Sequence, residues 1–423
     1  LNFLTKEDTM PNYFTEQTNF YGNMTPFTLV EEYGSPLYVY NEAILRTRCR
    51  EMAGLVSYPR FKVNYSIKAN SNLELLKIVR GEGLAADAMS PGEIHALLAA
   101  GFRAEEIFYV GNNVSEAEMN FAIDRSVLVS VDSLPQLIQF GRLNPGGRVA
   151  VRFNPGVGVG HHEKVMTGGK KTKFGIYPEL ANEVKKIAAD TGLQIVGINQ
   201  HIGSLFLEGA VYLEGVKSLL DIARQFDSLE FVDIGGGFGI PYYKQAGQAR
   251  LDLRMLGESL DGLFRGWVRD CGREIEFRIE PGRYIVAECG VLLGTVYAVK
   301  ENYGTFYVGT DLGMNVLIRP AMYEAHHELE VYRRDETEEP GDSKRVTVVG
   351  NICETGDIIA RDRELPETCE GDILGVMDAG AYGYSMCSNY NNRLRPAEVL
   401  IREDGSPALI RRRDTLEDLL RNF

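Results

Sequence analysis

The sequence predicts an α/β protein: a (β/α)8 barrel followed by an all-β C-terminal domain. Three observations predict it. Between residues 62 and 280, eight strand-like runs alternate with helical or loop stretches, the rhythm of a closed parallel barrel. Beyond about residue 285 the rhythm changes to short strands split by turn residues. The 423 residues are 44% apolar and 25% charged, ordinary globular material for one large domain and a smaller one.

In chain order, PLYVY (36–40) is a first strand. The eight barrel runs are then KVNYSIK (62–68), GLAADAM (83–89), IFYV (107–110), VLVSVD (127–132), RVAVRFN (148–154), QIVGINQH (194–201), LEFVDIG (229–235) and IEFRIE (275–280). Between them NLELLKIVRGEG and SPGEIHALLAAGF are amphipathic and stop at glycine, as helices do. The second domain reads as GVLLGTVYAVKENYGTFYVGTD, HELEVY, RVTVVG, GDILGVM and AEVLIREDGSPALIRRR. The charged turn RRDETEEPGDSKR (333–345) reads as an exposed, solvated loop.

Charge and cysteines narrow the function classes. A net charge of −14 argues against nonspecific binding to nucleic acid or anionic membranes. No run of 18 or more apolar residues suggests a membrane helix, and the opening LNFLTKEDTMPNYF lacks the pattern of a signal peptide. The six cysteines, at 49, 271, 289, 353, 369 and 387, form no CxxC pair, which fits reduced thiols in a cytoplasmic protein. NYS, NMT and NVS match glycosylation acceptors without an accompanying secretory signal.

In such a barrel the chemistry lies at the C-terminal ends of the strands. Those ends read Lys68, Asp87, Asn112, Asp132, Asn154, His201, Gly235 to Gly237, and Glu280. The seventh and eighth strands run into GGGFG (235–239) and EPGR (280–283), where glycines leave backbone N–H groups open to an anion. A dinucleotide fold does not fit, because Pro241 stands where that fingerprint requires a helix. An amine, a phosphate cradle and a carboxylate around one mouth suit pyridoxal 5'-phosphate. Lys68 would form a Schiff base with its aldehyde, Glu280 would keep the pyridine nitrogen protonated, and His201 would stack on the ring. A strand-end lysine is otherwise solvated, and a lone histidine is otherwise a core residue. HHE occurs at 161–163 and at 326–328. Adjacent residues point in different directions, so neither pair makes a chelating face and no metal site is expected.

YSIKANSN, INQHIGS (198–204), GGGFG, EPGR, DLGMNVLIRPAMYEA (311–325), CETGD (353–357) and DAGAYGYSMCSNYNNRLRPAEVL (378–400) resemble diaminopimelate decarboxylase, in this order and through nearly the whole chain. The resemblance implies the pyridoxal-phosphate barrel of the alanine-racemase type, residues 35–285, and a β-domain, 286–423, joined by the N-terminal segment 1–34. It implies decarboxylation of meso-2,6-diaminopimelate to L-lysine, the last step of lysine biosynthesis, by a cytoplasmic homodimer with shared active sites. Lys68, His201 and Glu280 keep the roles given above. Ser204, Gly236, Gly237, the Pro281–Gly282–Arg283 turn and the Tyr382 hydroxyl would hold the phosphate.

The partner subunit would supply Cys353, the acid that returns a proton to Cα, and Glu354, which takes the distal ammonium. Arg283 and Arg319 would grip the distal carboxylate, with Tyr323 and Tyr382 also at the substrate. Arginine's planar fork suits a carboxylate, and a substrate without one would leave buried cations unpaired. Outside the motif, Arg319 before Pro320 reads as an ordinary surface arginine and Cys353 as a small buried hydrophobe. Asn199, Leu205 and Leu394 depart from the family's pattern, as does part of the loop 156–175, at positions that read as peripheral. The competing readings are a related decarboxylase acting on carboxynorspermidine or a D-amino acid, and a pyridoxal-phosphate-binding homologue without turnover.

Overall fold

A computed structural model describes residues 13–156, 159–160, 172–334 and 342–423. The HHE at 161–163, most of the loop 156–175, the centre of the charged turn and residues 1–12 lie outside the described residues. The chain divides into two compact units. One comprises residues 44–288 with 380–386, and the other residues 1–43, 289–379 and 387–423.

The first unit holds the barrel. Its strands are Phe61–Ser66, Ala85–Ala88, Ile107–Tyr109, Leu128–Val131, Arg148–Arg152, Gln194–Asn199, Phe231–Asp233 and Glu276–Ile279. They close in that order, every neighbour parallel, and the last pairs back onto the first. All eight predicted runs are therefore barrel strands. Phe108 on the third strand meets Phe231 on the seventh edge to face, with ring centroids 5.5 Å apart. Those strands are not neighbours, so the contact crosses the interior. Val110, Ala150 and Val196 complete this apolar plug.

The helices start and stop where the sequence signals them. Leu73–Gly81 is capped by the Asn72 side chain, and Pro91–Ala99 by Ser90 with proline in its first turn. Gly83 and Gly101, both at positive φ, let the chain turn back toward the next strand.

The second unit is a nine-stranded sheet. Its main path runs Ile358–Leu365, Lys344–Val349, Thr305–Thr310, Gly290–Asn302, Leu37–Asn41, Ala397–Ile401, Pro407–Arg411. Ile373–Val376 branches from the long strand and carries Leu329–Tyr332. The first predicted strand thus belongs here, although the boundary at residue 35 grouped it with the barrel. Leu37–Asn41 is buried throughout and hydrogen-bonded on both edges, antiparallel to Gly290–Asn302 and parallel to Ala397–Ile401. The segment Gly380–Met386, read as part of the β-domain, groups with the barrel unit. Tyr382 N–H donates to the Ala69 carbonyl at 2.8 Å.

Candidate active site

The first barrel strand buries Val63, Asn64, Tyr65 and Ser66 and then tightens into a 3-10 turn, Ile67–Ala69. The turn sets Lys68, half-buried, in the wall of a cavity of about 340 Å³. Arg152, Asn199, His201, Glu280, Asn112 and Phe174 share that wall. The lining gathers the ends of several strands, as barrel catalysis requires. A larger cavity, about 590 Å³, opens near the starts of the strands by Lys62, Arg148 and Arg278. It brings together none of the predicted site residues.

The mouth is dense in buried charge. Burial alone would lower the Lys68 pKa, but Tyr382, Asp87 and Glu280 outweigh it and raise it. Burial pushes Asp87 up to about 8 against the pull of Lys68, and pushes Asp233 up to about 6. Glu280 is raised well above the usual carboxylate range, by burial and by the neighbouring Asp233 and Asp87. Asp87 accepts from Ser66 Oγ at 3.0 Å, and Asp233 accepts from Asn64 Nδ2 at 3.1 Å and from the Gly235 N–H at 2.9 Å.

His201 is held neutral, its pKa well below the usual value through burial and the nearby cations Lys68 and Arg152. Its Nδ1 accepts from the Gly236 N–H at 3.3 Å, which assigns the ring proton to Nε2. The glycine loop is packed against backbone. A Cβ on Gly236 would lie 2.0 Å from the Glu280 carbonyl oxygen, and one on Gly237, at φ +104, 2.7 Å from that of Gly203. Arg283 is buried, donates to Tyr242 Oη at 2.9 Å and Ser204 Oγ at 3.0 Å, and lies 4.9 Å from the centre of the Tyr382 ring. Ser204, Arg283 and Tyr382 therefore form one group, with Gly282 adjoining Arg283 in sequence.

These residues fit pyridoxal phosphate. Glu280 is 5% exposed, and its Oε1 has no hydrogen-bond partner. A buried carboxylate oxygen left so is costly unless a donor meets it, and a protonated pyridine nitrogen is such a donor.

The other predicted residues lie in the β unit. Arg319 opens the short helix Arg319–Tyr323 and is 2% exposed, so it is not a surface arginine. Its Nη1 pairs with His327 Nε2 at 3.0 Å. Tyr323, half-buried, ends the same helix. Cys353 and Glu354 are exposed, so the small-buried-hydrophobe reading of Cys353 fails. The Cys353 N–H donates to Asn391 Oδ1 at 3.1 Å, while Asn391 Nδ2 donates to Cys353 Sγ at 3.2 Å. Tyr390 Oη donates to Glu354 Oε1. Asn391 and Asn392 both sit at positive φ, a conformation asparagine tolerates, and the turn sets these groups against 353–354.

Two residues of the mouth escaped sequence reasoning. Arg152 lies two positions after Ala150, which is in the barrel interior, so strand parity places it on the same face. Its guanidinium lies 4.7 Å from the Phe174 ring centre. Asn199, read as peripheral, is 2% exposed, lines the cavity and accepts from Ser130 Oγ at 2.6 Å.

Known proteins resemble this chain. A family model described as "Pyridoxal-dependent decarboxylase, pyridoxal binding domain" matches residues 43–287. Diaminopimelate decarboxylase of Methanothermobacter thermautotrophicus is 44% identical over 409 residues, 95% of this chain and 94% of that protein. A crystal structure of a diaminopimelate decarboxylase superposes with a TM-score of 0.87 at 33% identity, covering 95% of this chain and 98% of the other. The Helicobacter pylori enzyme complexed with L-lysine gives 0.86 at 30% identity, covering 94% and 99%.

Proposed function

Because the chain belongs to the diaminopimelate decarboxylase family of pyridoxal-dependent decarboxylases, we propose that it converts meso-2,6-diaminopimelate to L-lysine and carbon dioxide. This is the last step of lysine biosynthesis. The observation that carries the reading is the barrel mouth, where Lys68 and the unpartnered oxygen-bearing Glu280 line one cavity. When bound, pyridoxal phosphate supplies an aldehyde for amines and a ring that takes up the electron pair left by the departing carboxyl group.

The chain's own residues do the rest. Lys68 would hold the cofactor covalently, Glu280 would accept from its ring nitrogen, and neutral His201 would pack against the ring. Ser204, Gly236, Gly237, the Pro281–Arg283 turn and Tyr382 hold the phosphate. Arg319, aided by Arg283, grips the distal carboxylate, while Glu354 takes the distal ammonium and Tyr323 and Tyr382 orient the substrate. Cys353 returns a proton to Cα. Cys353 and Glu354 come from the partner subunit of a cytoplasmic homodimer, which fits their exposure in the single chain.

The test is an assay of the purified enzyme, supplied with pyridoxal phosphate, on a panel of meso-diaminopimelate, L-lysine, L-ornithine, carboxynorspermidine and D-amino acids. The reading expects carbon dioxide and L-lysine in equal amounts from meso-diaminopimelate, and little from the others. Preference for any other substrate, or no turnover at all, overturns it.

A further inference from the structure

Arg319 keeps its proton under all ordinary conditions, so a buried guanidinium there must be met by acceptors. One acceptor is His327, itself 1% exposed. Arg319 Nη1 and His327 Nε2 are 3.0 Å apart, and His327 Nδ1 lies 2.7 Å from the Met377 carbonyl oxygen. A guanidinium only donates, so Nε2 accepts. A carbonyl only accepts, so Nδ1 carries the proton. The neutral Nδ1–H ring is the one state that satisfies both bonds. The imidazolium would turn an N–H against the guanidinium, and the other tautomer would break both contacts.

The backbone beneath the ring is also fixed. Arg363 Nη2 donates to the His327 carbonyl at 2.7 Å, while Arg363 Nη1 lies 3.1 Å from His326 Nε2 and 3.6 Å from Glu328. The HHE motif at 326–328 is thus a clamp between Arg319 and Arg363. A neutral imidazole accepts from the guanidinium and fixes its orientation without adding a charge of its own.

We infer that His327 is a positioning residue, a neutral acceptor that orients Arg319 toward the distal carboxylate of the substrate. The inference rests on the role proposed for Arg319. It is tested in the holoenzyme with three variants. His327→Asn keeps an amide near Nδ1 for Met377 but falls short of Arg319, His327→Gln places an amide oxygen near Nε2, and Arg319→Ala removes the guanidinium. Each is assayed for kcat and KM with meso-diaminopimelate. Inhibition is measured with L-lysine, which carries a carboxylate, and with cadaverine, which does not. Melting temperatures check that each variant folds.

His327→Asn should raise KM and the L-lysine inhibition constant about tenfold, the scale of one weakened charged hydrogen bond. The kcat and cadaverine inhibition should stay near wild type, and His327→Gln should recover most of the loss. Arg319→Ala should show the same pattern, larger. If Arg319→Ala shows it and His327→Asn does not, the inference fails. Equal losses for L-lysine and cadaverine in His327→Asn, or no recovery in His327→Gln, reduce His327 to a structural residue. If Arg319→Ala changes neither KM nor L-lysine inhibition, the role of Arg319 itself fails.

Discussion

The barrel mouth and the 353–354 loop carry the two halves of the proposed chemistry, and they are built in opposite ways. Around the mouth, Glu280, Asp87, Arg152 and Arg283 are buried, and second residues such as Ser66, Asn64, Tyr242 and Ser204 hold the network in place. Burial there moves proton affinities by large amounts, and low polarity makes each charge count. Cys353 and Glu354 stand exposed and are steadied by the neighbouring turn at Tyr390 and Asn391 and by backbone hydrogen bonds within their own loop. A group that must deliver a proton to one carbon needs to be enclosed and aimed. The mouth residues have a buried supporting shell, whereas the loop is exposed. That difference supports the proposal that Cys353 and Glu354 complete the mouth of a partner subunit.

The largest effect should come from the mouth. Lys68→Ala should lower kcat by at least about 10⁴-fold, as removal of a covalent catalyst does. Borohydride reduction of the wild type should fix the cofactor on the Lys68 peptide alone, and recovery on another lysine would displace Lys68 from the account. The loop should fail differently. Cys353→Ala should bind cofactor at wild-type stoichiometry yet lose about 10²–10³-fold in kcat, the range for a positioned acid. Loss of cofactor binding in that variant would erase the distinction between the two regions.

A smaller effect concerns stability. Glu288 is fully buried, with Arg250 at 2.6 and 2.7 Å, Lys244 at 3.1 Å and Arg48 at 3.1 Å. Burial pushes its carboxyl up, but the Arg250 pair, Lys244 and Arg48 outweigh that and hold it at about 2. A depressed folded pKa stabilises the protein above the unfolded value of 4.5, and this contribution is lost as pH falls from 4.5 toward 2. Glu288→Gln should cost about 2–3 kcal/mol at neutral pH, below the figure for a fully buried pair because the cations are partly solvated. Denaturant titrations at several pH values should show the gap between wild type and variant closing over that acid range. A gap that stays constant down to pH 2 would show that the ion cluster adds nothing.

The barrel was legible because eight runs of strand pattern alternate with helices that glycine stops, and Lys68, His201 and Glu280 follow from their places at strand ends. What escaped has physical reasons. PLYVY has the pattern of a buried strand, but a short apolar run does not say which sheet it joins. Arg152 looks like an outward residue until its parity with Ala150 is noticed. Arg319 entered the site only through the resemblance, and outside that motif it reads as a surface residue because arginine is rarely fully buried; its contact with His327 is one that no spacing rule links to it. Asn391 acts through a left-handed turn that sets it beside Cys353, 38 positions away in the chain.

The most direct test of the account asks whether the two regions must come from different chains. Lys68→Ala and Cys353→Ala, each inactive alone, are mixed one to one and co-refolded, with subunit exchange checked by mass-tagged chains. Half of randomly paired dimers are mixed, and each mixed dimer has one site with both groups intact, so activity should return to about a quarter of wild type. Demonstrated exchange with no recovery would contradict the account: Cys353 would then serve its own chain, or some other group would return the proton.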